Sequence, residues 1–223
     1  MTDIRIITTA DGSHSLHHAG LNETYHSVHG AIRESQYVFI RQGLVRWLEL
    51  NNSKEIRILE VGFGTGLNAL LTLLHSLQTN VKVYYESWEA NPLDSLFVQQ
   101  LNYGEMLKGA AWFGKINKAE WNEAGAITAD FTLHKHHGDI LRDTLNPSAR
   151  FDLIYFDAFA PSKQPEMWTL EQIRKITDTL APGGIWVTYC AKGQVKRDLV
   201  SLKFTVETLA GPPGKKEMIR ASR

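Results

Sequence analysis

Three glycines and three carboxylates carry the chemistry open to this sequence. Gly62, Gly64 and Gly66 alternate in Val61-Gly62-Phe63-Gly64-Thr65-Gly66-Leu67-Asn68, directly after an apolar run at 56–61. Glycine at that spacing lets a ligand approach bare backbone, where any Cβ would block it. A helix starting at about Leu67 adds unpaired N–H groups and a partial positive charge. Glu89, Asp139 and Asp157 each follow a predicted strand. At a strand end, Glu89 can accept both hydroxyls of a ribose, and Asp139 can accept from an adenine amino group. Asp157 stands between an apolar strand and the loop Ala158-Phe159-Ala160-Pro161-Ser162, where a carboxylate can hold and deprotonate an incoming amine. Each acid can also serve as a plain turn or cap residue, and Asp139 has the position of an N-cap for 140–145.

The glycine spacing narrows the ligand. A phosphate-binding P-loop needs Lys-Ser/Thr after its last glycine, and Leu67-Asn68 stand there instead. A dinucleotide turn needs G-x-G-x-x-G, and its third glycine position is Leu67. The form present, G-x-G-x-G, is common among methyltransferases that use S-adenosylmethionine.

These residues need a sheet to position them. Strands are predicted at 56–61, 81–89, 131–137, 151–157 and 185–190, with two more near 203–208 and 216–221. Helices are predicted at 67–78, from Asn91-Pro92 onward, at 169–180 before Pro182-Gly183-Gly184, and near 193–201; residues 103–125 read as irregular helix. Strands alternating with helices predict an α/β fold, a doubly wound, mostly parallel seven-stranded sheet closed by an edge hairpin. In open sheets of this kind the ligand sits outside the carboxyl ends of the strands. Ahead of the sheet, residues 4–18 predict a hairpin about Asp11-Gly12, and 22–51 a mostly helical lead-in. The expected organisation is an extension at 1–51 and one compact domain at 52–223.

Composition bounds the function class. The chain has 223 residues, 43% hydrophobic and 22% charged, with zero formal net charge, so no global field recruits nucleic acid. Charge is uneven, however. From Lys192 to Arg223 there are eight lysines and arginines against three acids, the make-up of a solvated face or a phosphate-binding patch. Cys190 is the single cysteine, which rules out an internal disulfide and fits a reducing cytoplasm. Asp3 and the lack of an apolar stretch near the start argue against a signal peptide, and no apolar run approaches a membrane span. The histidines at 14, 17, 18, 26, 29, 134, 136 and 137 have no cysteine partners, so strand or surface roles are expected and no metal.

Two segments together resemble the methyltransferase half of the bifunctional tRNA wobble-uridine modification protein MnmC and its stand-alone relatives. One is the glycine turn; the other, longer and more specific, is Asp157-Ala158-Phe159-Ala160-Pro161-Ser162-Lys163-Gln164-Pro165-Glu166-Met167-Trp168-Thr169. Gly211-Pro212-Pro213-Gly214-Lys215-Lys216-Glu217-Met218, Tyr37-Val38-Phe39-Ile40 and Glu23-Thr24-Tyr25 extend the likeness from about residue 20 onward. The resemblance implies a Rossmann-like S-adenosylmethionine-dependent fold. It implies methylation of the amine of 5-aminomethyl-2-thiouridine in tRNA, giving 5-methylaminomethyl-2-thiouridine. It implies cofactor contacts at Glu60, Gly62, Gly64, Thr65, Gly66, Asn68, Glu89 and Asp139, and Asp157 facing the amine. Tyr25, Phe159, Pro161 and Trp168 become candidates for the wall around the base, and Lys192, Lys215 and Lys216 for tRNA contacts.

The family's FAD-dependent oxidase half has no second glycine fingerprint here, so methyl transfer alone is expected. A separate oxidase, or another enzyme that makes the aminomethyl group, becomes an expected partner. Thr188-Tyr189-Cys190-Ala191-Lys192-Gly193 departs from the bifunctional form. Two other readings stay open. One is an aminopropyltransferase similar to spermidine synthase, which also delivers an amine to a sulfonium but adds an acid-rich polyamine site. The other is a non-catalytic tRNA-binding module, against which the intact glycines and strand-end acids count.

Overall fold

The computed structural model describes residues 4–146 and 148–223; Asp3 lies outside the described residues. Its centre is β4 (Glu55–Val61), whose alternating side chains are buried on both faces. On one side β4 pairs in parallel with β5 (Lys82–Glu89), and β5 with β7 (Phe131–His137). On the other side it pairs in parallel with β8 (Phe151–Phe156), and β8 with β9 (Leu180–Thr188). Strand order therefore reverses between β4 and β8, which opens the ligand-binding crevice at their carboxyl ends. β11 (Glu217–Ser222) runs antiparallel to β9 and lies between it and β10 (Thr205–Ala210).

All seven expected strands are in this sheet. An eighth, β6 (Ala124–Thr128), pairs antiparallel with β7 at the far edge. It begins at the end of the stretch 103–125 read as irregular helix and runs on to Thr128. Only Ile127 and Thr128 of its five residues are β-branched, after Ala124-Gly125-Ala126, so its strand signal is short.

The two faces of the sheet bury separate cores. Ile56, Ile58, Val83, Tyr85 and Leu133 pack against α3 (Leu67–Thr79), α5 (Tyr103–Met106), α6 (Ala110–Lys118) and the N-terminal helix. Leu59, Val61, Ile154 and Trp186 pack against α7 (Leu170–Thr177) and α8 (Gly193–Ser201). The N-terminal helix comprises α1 (Ala31–Ser35), a π-helical stretch (Gln36–Val45) and α2 (Arg46–Asn51). Its Gly43 lies where a Cβ would be 3.1 Å from Val187 and 3.2 Å from Tyr155, so the wide turn presses directly onto the sheet.

The predicted hairpin is present as β1 (Ile4–Thr8) and β2 (His14–His18), with β3 (Glu23–Thr24) completing a small sheet. One helix start differs from the prediction. α4 (Ser95–Val98) begins after Asp94, whose carboxylate accepts from the Leu96 N–H at 2.8 Å, rather than at Asn91-Pro92. α7 starts as predicted, capped by Thr169 after a 3-10 turn (Pro165–Trp168), and ends at Thr177, short of the expected 180. No helix among the described residues is long and apolar enough to cross a membrane.

Candidate active site

The glycine turn occupies the reversal point. Gly62 has φ +91°, and a Cβ there would be 2.8 Å from the backbone oxygen of Asp157, so a side chain fails on both counts. The Gly62 N–H donates to Trp88 O at 2.9 Å, and the Asp157 N–H to Val61 O at 3.0 Å. These bonds lock the ends of β4, β5 and β8 together. Gly64, at φ +49°, lies under Tyr25, whose ring would be 3.3 Å from a Cβ.

Glu89 closes β5 and reaches back to this turn. Its Oε2 accepts from the Gly64 N–H at 3.0 Å and its Oε1 from the Asn91 N–H at 2.9 Å. Burial still outweighs these donors and raises its pKa. Asp139 lies across the same opening. It accepts from the Leu141 N–H at 3.0 Å and pairs with Arg142 at 3.2 Å, in a turn rather than the helix expected at 140–145.

Asp157 is held from behind. Asn68 Nδ2 donates to its Oδ2 at 2.9 Å and to Glu60 Oε1 at 3.0 Å. Ser87 donates to the other Glu60 oxygen at 2.6 Å. Glu60 is fully buried, and burial pushes its carboxyl up to about 8. Burial also raises Asp157 well above the carboxylate range, helped by the nearby charges of Glu34 and Glu60 and opposed by the Asn68 donor and Lys215. A carboxylate so placed has an unusually high proton affinity.

The N-terminal extension supplies the opposite wall. Tyr25 meets Phe159 edge to face at 5.1 Å. Buried His26 places Nε2 2.9 Å from the Thr65 hydroxyl, and burial lowers its pKa to about 4, so it is neutral. Lys215 donates to Glu34 at 2.6 Å, and its ammonium lies 3.6 Å from the centre of the Tyr189 ring. The Tyr189 hydroxyl donates to Ala158 O at 2.8 Å. Together these elements enclose a cleft of about 1230 Å³, lined by Gly62, Gly64, Glu89, Asp139 and Asp157 on one side and Tyr25, Phe159, Tyr189 and Lys215 on the other.

Several candidates lie elsewhere. Glu60, Thr65 and Asn68 are buried beneath the turn and support it from below. Trp168 is 5% exposed, donates to Phe159 O at 2.8 Å and packs on Phe156, so it anchors the loop from the core instead of lining the cleft. Pro161 is half-buried outside the lining, while Lys192 and Lys216 are exposed. Half of the basic C-terminal run is ion-paired: Lys196 with Glu217, Lys215 with Glu34, Arg220 with Glu207, and Arg223 with Asp178. Tyr189, Glu34 and His26 went unread as site residues. Tyr189 follows the last residue of β9, so the strand-end rule that found Asp157 also reaches it.

Comparison with known proteins bears on the family and the fold. A family model described as S-adenosyl-L-methionine-dependent methyltransferase matches residues 106–223. The chain is 32% identical over 214 residues to the tRNA 5-methylaminomethyl-2-thiouridine biosynthesis bifunctional protein MnmC of Idiomarina loihiensis, covering 89% of this chain and 35% of that protein. The protein of the same name from Pseudoalteromonas atlantica is 30% identical over 223 residues, with 89% and 30% covered. The chain thus spans about a third of the length of these relatives. The crystal structure of MnmC2 from Aquifex aeolicus aligns with a TM-score of 0.79 at 30% identity, over 100% of this chain and 71% of that one. With the whole chain aligned on that structure and more than half of it matched by the family model, the chain belongs to the S-adenosylmethionine-dependent methyltransferases of the MnmC methyltransferase-domain family.

Proposed function

We propose that the chain methylates the aminomethyl nitrogen of 5-aminomethyl-2-thiouridine at the tRNA wobble position, giving 5-methylaminomethyl-2-thiouridine. The observation that carries this reading is the place of Asp157, between the glycine turn and the Tyr25–Phe159 wall of one cleft. The names of the relatives support the substrate.

The residues present suit S-adenosylmethionine. Each Glu89 oxygen accepts one backbone N–H and keeps a lone pair for a ribose hydroxyl. The bare backbone at Gly62 admits close approach. Asp139 stands where an adenine amino group needs an acceptor. The cleft exceeds the roughly 300–1,000 Å³ of common small-molecule pockets, which leaves room for a nucleoside beside the cofactor.

When bound, the cofactor supplies an electrophilic methyl group on a sulfonium. The protein must present a neutral amine in line with it, and such positioning is worth roughly 7–11 kcal/mol. Asp157 accepts a proton from the amine, and its raised proton affinity makes it the stronger base for that task. Tyr25 and Phe159 offer an aromatic wall for a base taken out of its stack. Exposed Lys192 and Lys216 meet tRNA phosphate in this reading, and Lys215 lies in the cleft. A separate FAD-dependent oxidase, or another enzyme, supplies the aminomethyl group.

The test is methyl transfer to tRNA bearing 5-aminomethyl-2-thiouridine, read by mass analysis of the wobble nucleoside. The expected product is one methyl heavier, and an unchanged nucleoside refutes the substrate. Asp157→Ala should keep cofactor binding by calorimetry while turnover falls roughly 10²–10⁴-fold.

A further inference from the structure

β5 and β7 bring a second constellation together on the sheet. Glu86 and His134 are directly opposed in the parallel register, and His136 follows His134 on the same face of β7. One ligand atom from each of the three lies within 4.8 Å of the others. The cluster is half-buried, with side-chain exposures of 15% for Glu86 and 20% for His136. His136 Nε2 lies 3.1 Å from Glu86 Oε1, yet this buried nitrogen has no aligned hydrogen bond. The contact is an ion pair without hydrogen-bond alignment, and the two atoms stand close enough for one cation to take both as ligands.

We propose that Glu86, His134 and His136 bind a divalent transition metal of the zinc type, with water as a fourth ligand. Two imidazoles and one carboxylate are a donor set that zinc takes in tetrahedral sites, and imidazole also suits nickel and copper. An outer shell is in place. The Tyr84 hydroxyl lies 3.3 Å from His134 Nδ1 and donates to Glu86 Oε2 at 3.5 Å. Trp88 stacks on His136 with ring centres 4.3 Å apart, and its Nε1 donates to Glu86 at 3.4 Å. Trp88 also lines the cleft beside Glu89, so a bound ion would clamp β5 to β7 just below the cofactor side. The proposal departs from the expectation of plain strand histidines at 134 and 136, and it stands independently of the methyl-transfer reading.

Calorimetric titration of the untagged, metal-stripped full chain with zinc chloride, and separately with nickel chloride, tests this. The expected result is a single saturable site per chain and a higher unfolding temperature with zinc. His134→Asn with His136→Asn should weaken binding by at least roughly 10–100-fold, the loss that even outer-shell changes produce. His17→Asn with His18→Asn should leave it unchanged. If the ligand variants fail to fold by circular dichroism, Tyr84→Phe carries the test, with roughly tenfold weaker binding expected. No saturable binding in the wild type overturns the site, as does binding that survives the ligand changes or is lost with His17 and His18.

Discussion

Replacing Asn68 with alanine should destabilise the protein by an amount that grows with pH. The Asn68 amide, 3% exposed, is the donor shared by Glu60 and Asp157. Burial holds the Glu60 carboxyl at about 8 when folded, against about 4.3 for a free glutamate. A carboxyl raised in this way binds its proton more tightly in the folded state. Its contribution to stability is therefore greatest at low pH and declines between about 4 and about 8. The amide lowers both pKa values, so its removal raises them further and extends that decline upward. At pH 6 Glu60 is protonated, and its lost bond costs about 1 kcal/mol. At pH 9 it is ionised, and the same bond costs roughly 1.5–3 kcal/mol. The Glu60 bond alone thus adds roughly 0.5–2 kcal/mol to the penalty between the two pH values, on top of a comparable loss at Asp157. Urea denaturation of wild type and variant at both pH values measures this. A penalty that is equal at both, or smaller at pH 9, refutes the shared-donor account.

Two further outcomes follow from the geometry. Gly62→Ala should cost about 1–2 kcal/mol for its positive φ alone, more from the clash with Asp157 O, and should abolish S-adenosylmethionine binding; Gly125→Ala, with nothing within 4 Å of the new Cβ, is the control expected to bind normally. Charge reversal at Lys192 and Lys216, both exposed, should weaken tRNA binding and reduce the slope of log K against log salt by roughly 0.7–0.9 for each lost phosphate contact, and an unaltered slope removes them from the interface.

The parallel strands were legible because burial on both faces gives near-continuous apolar runs, as in Phe151-Asp152-Leu153-Ile154-Tyr155-Phe156. Glu89 and Asp157 were legible as site candidates because the sheet's handedness and order send strand ends to one edge. β6 was not, since its alanines and glycine are held by pairing with β7 rather than by propensity. Trp168 illustrates a different limit. Its neighbours in sequence face the cleft, but its own ring fills the core beside Phe156. Whether an aromatic lines a cavity or seals its floor depends on the direction of one loop, which local sequence does not encode. The pairing of Lys215 with Glu34 joins residues 181 apart, and no local pattern announces it.

The position of β11 bears on how the chain comes together during synthesis. It follows every other strand in chain order, yet it lies inside the sheet, between β9 and β10. Until residues 217–222 leave the ribosome, β9 presents an open edge, and β10 has no neighbour to pair with. Lys215 emerges just ahead of the same strand and completes the cleft wall. At roughly 5–20 residues per second, a chain of this length passes many seconds with an unfinished sheet and an incomplete site. A nascent chain therefore keeps this edge open and its cleft wall incomplete until the strand is inserted, so one step both covers the edge and closes the site.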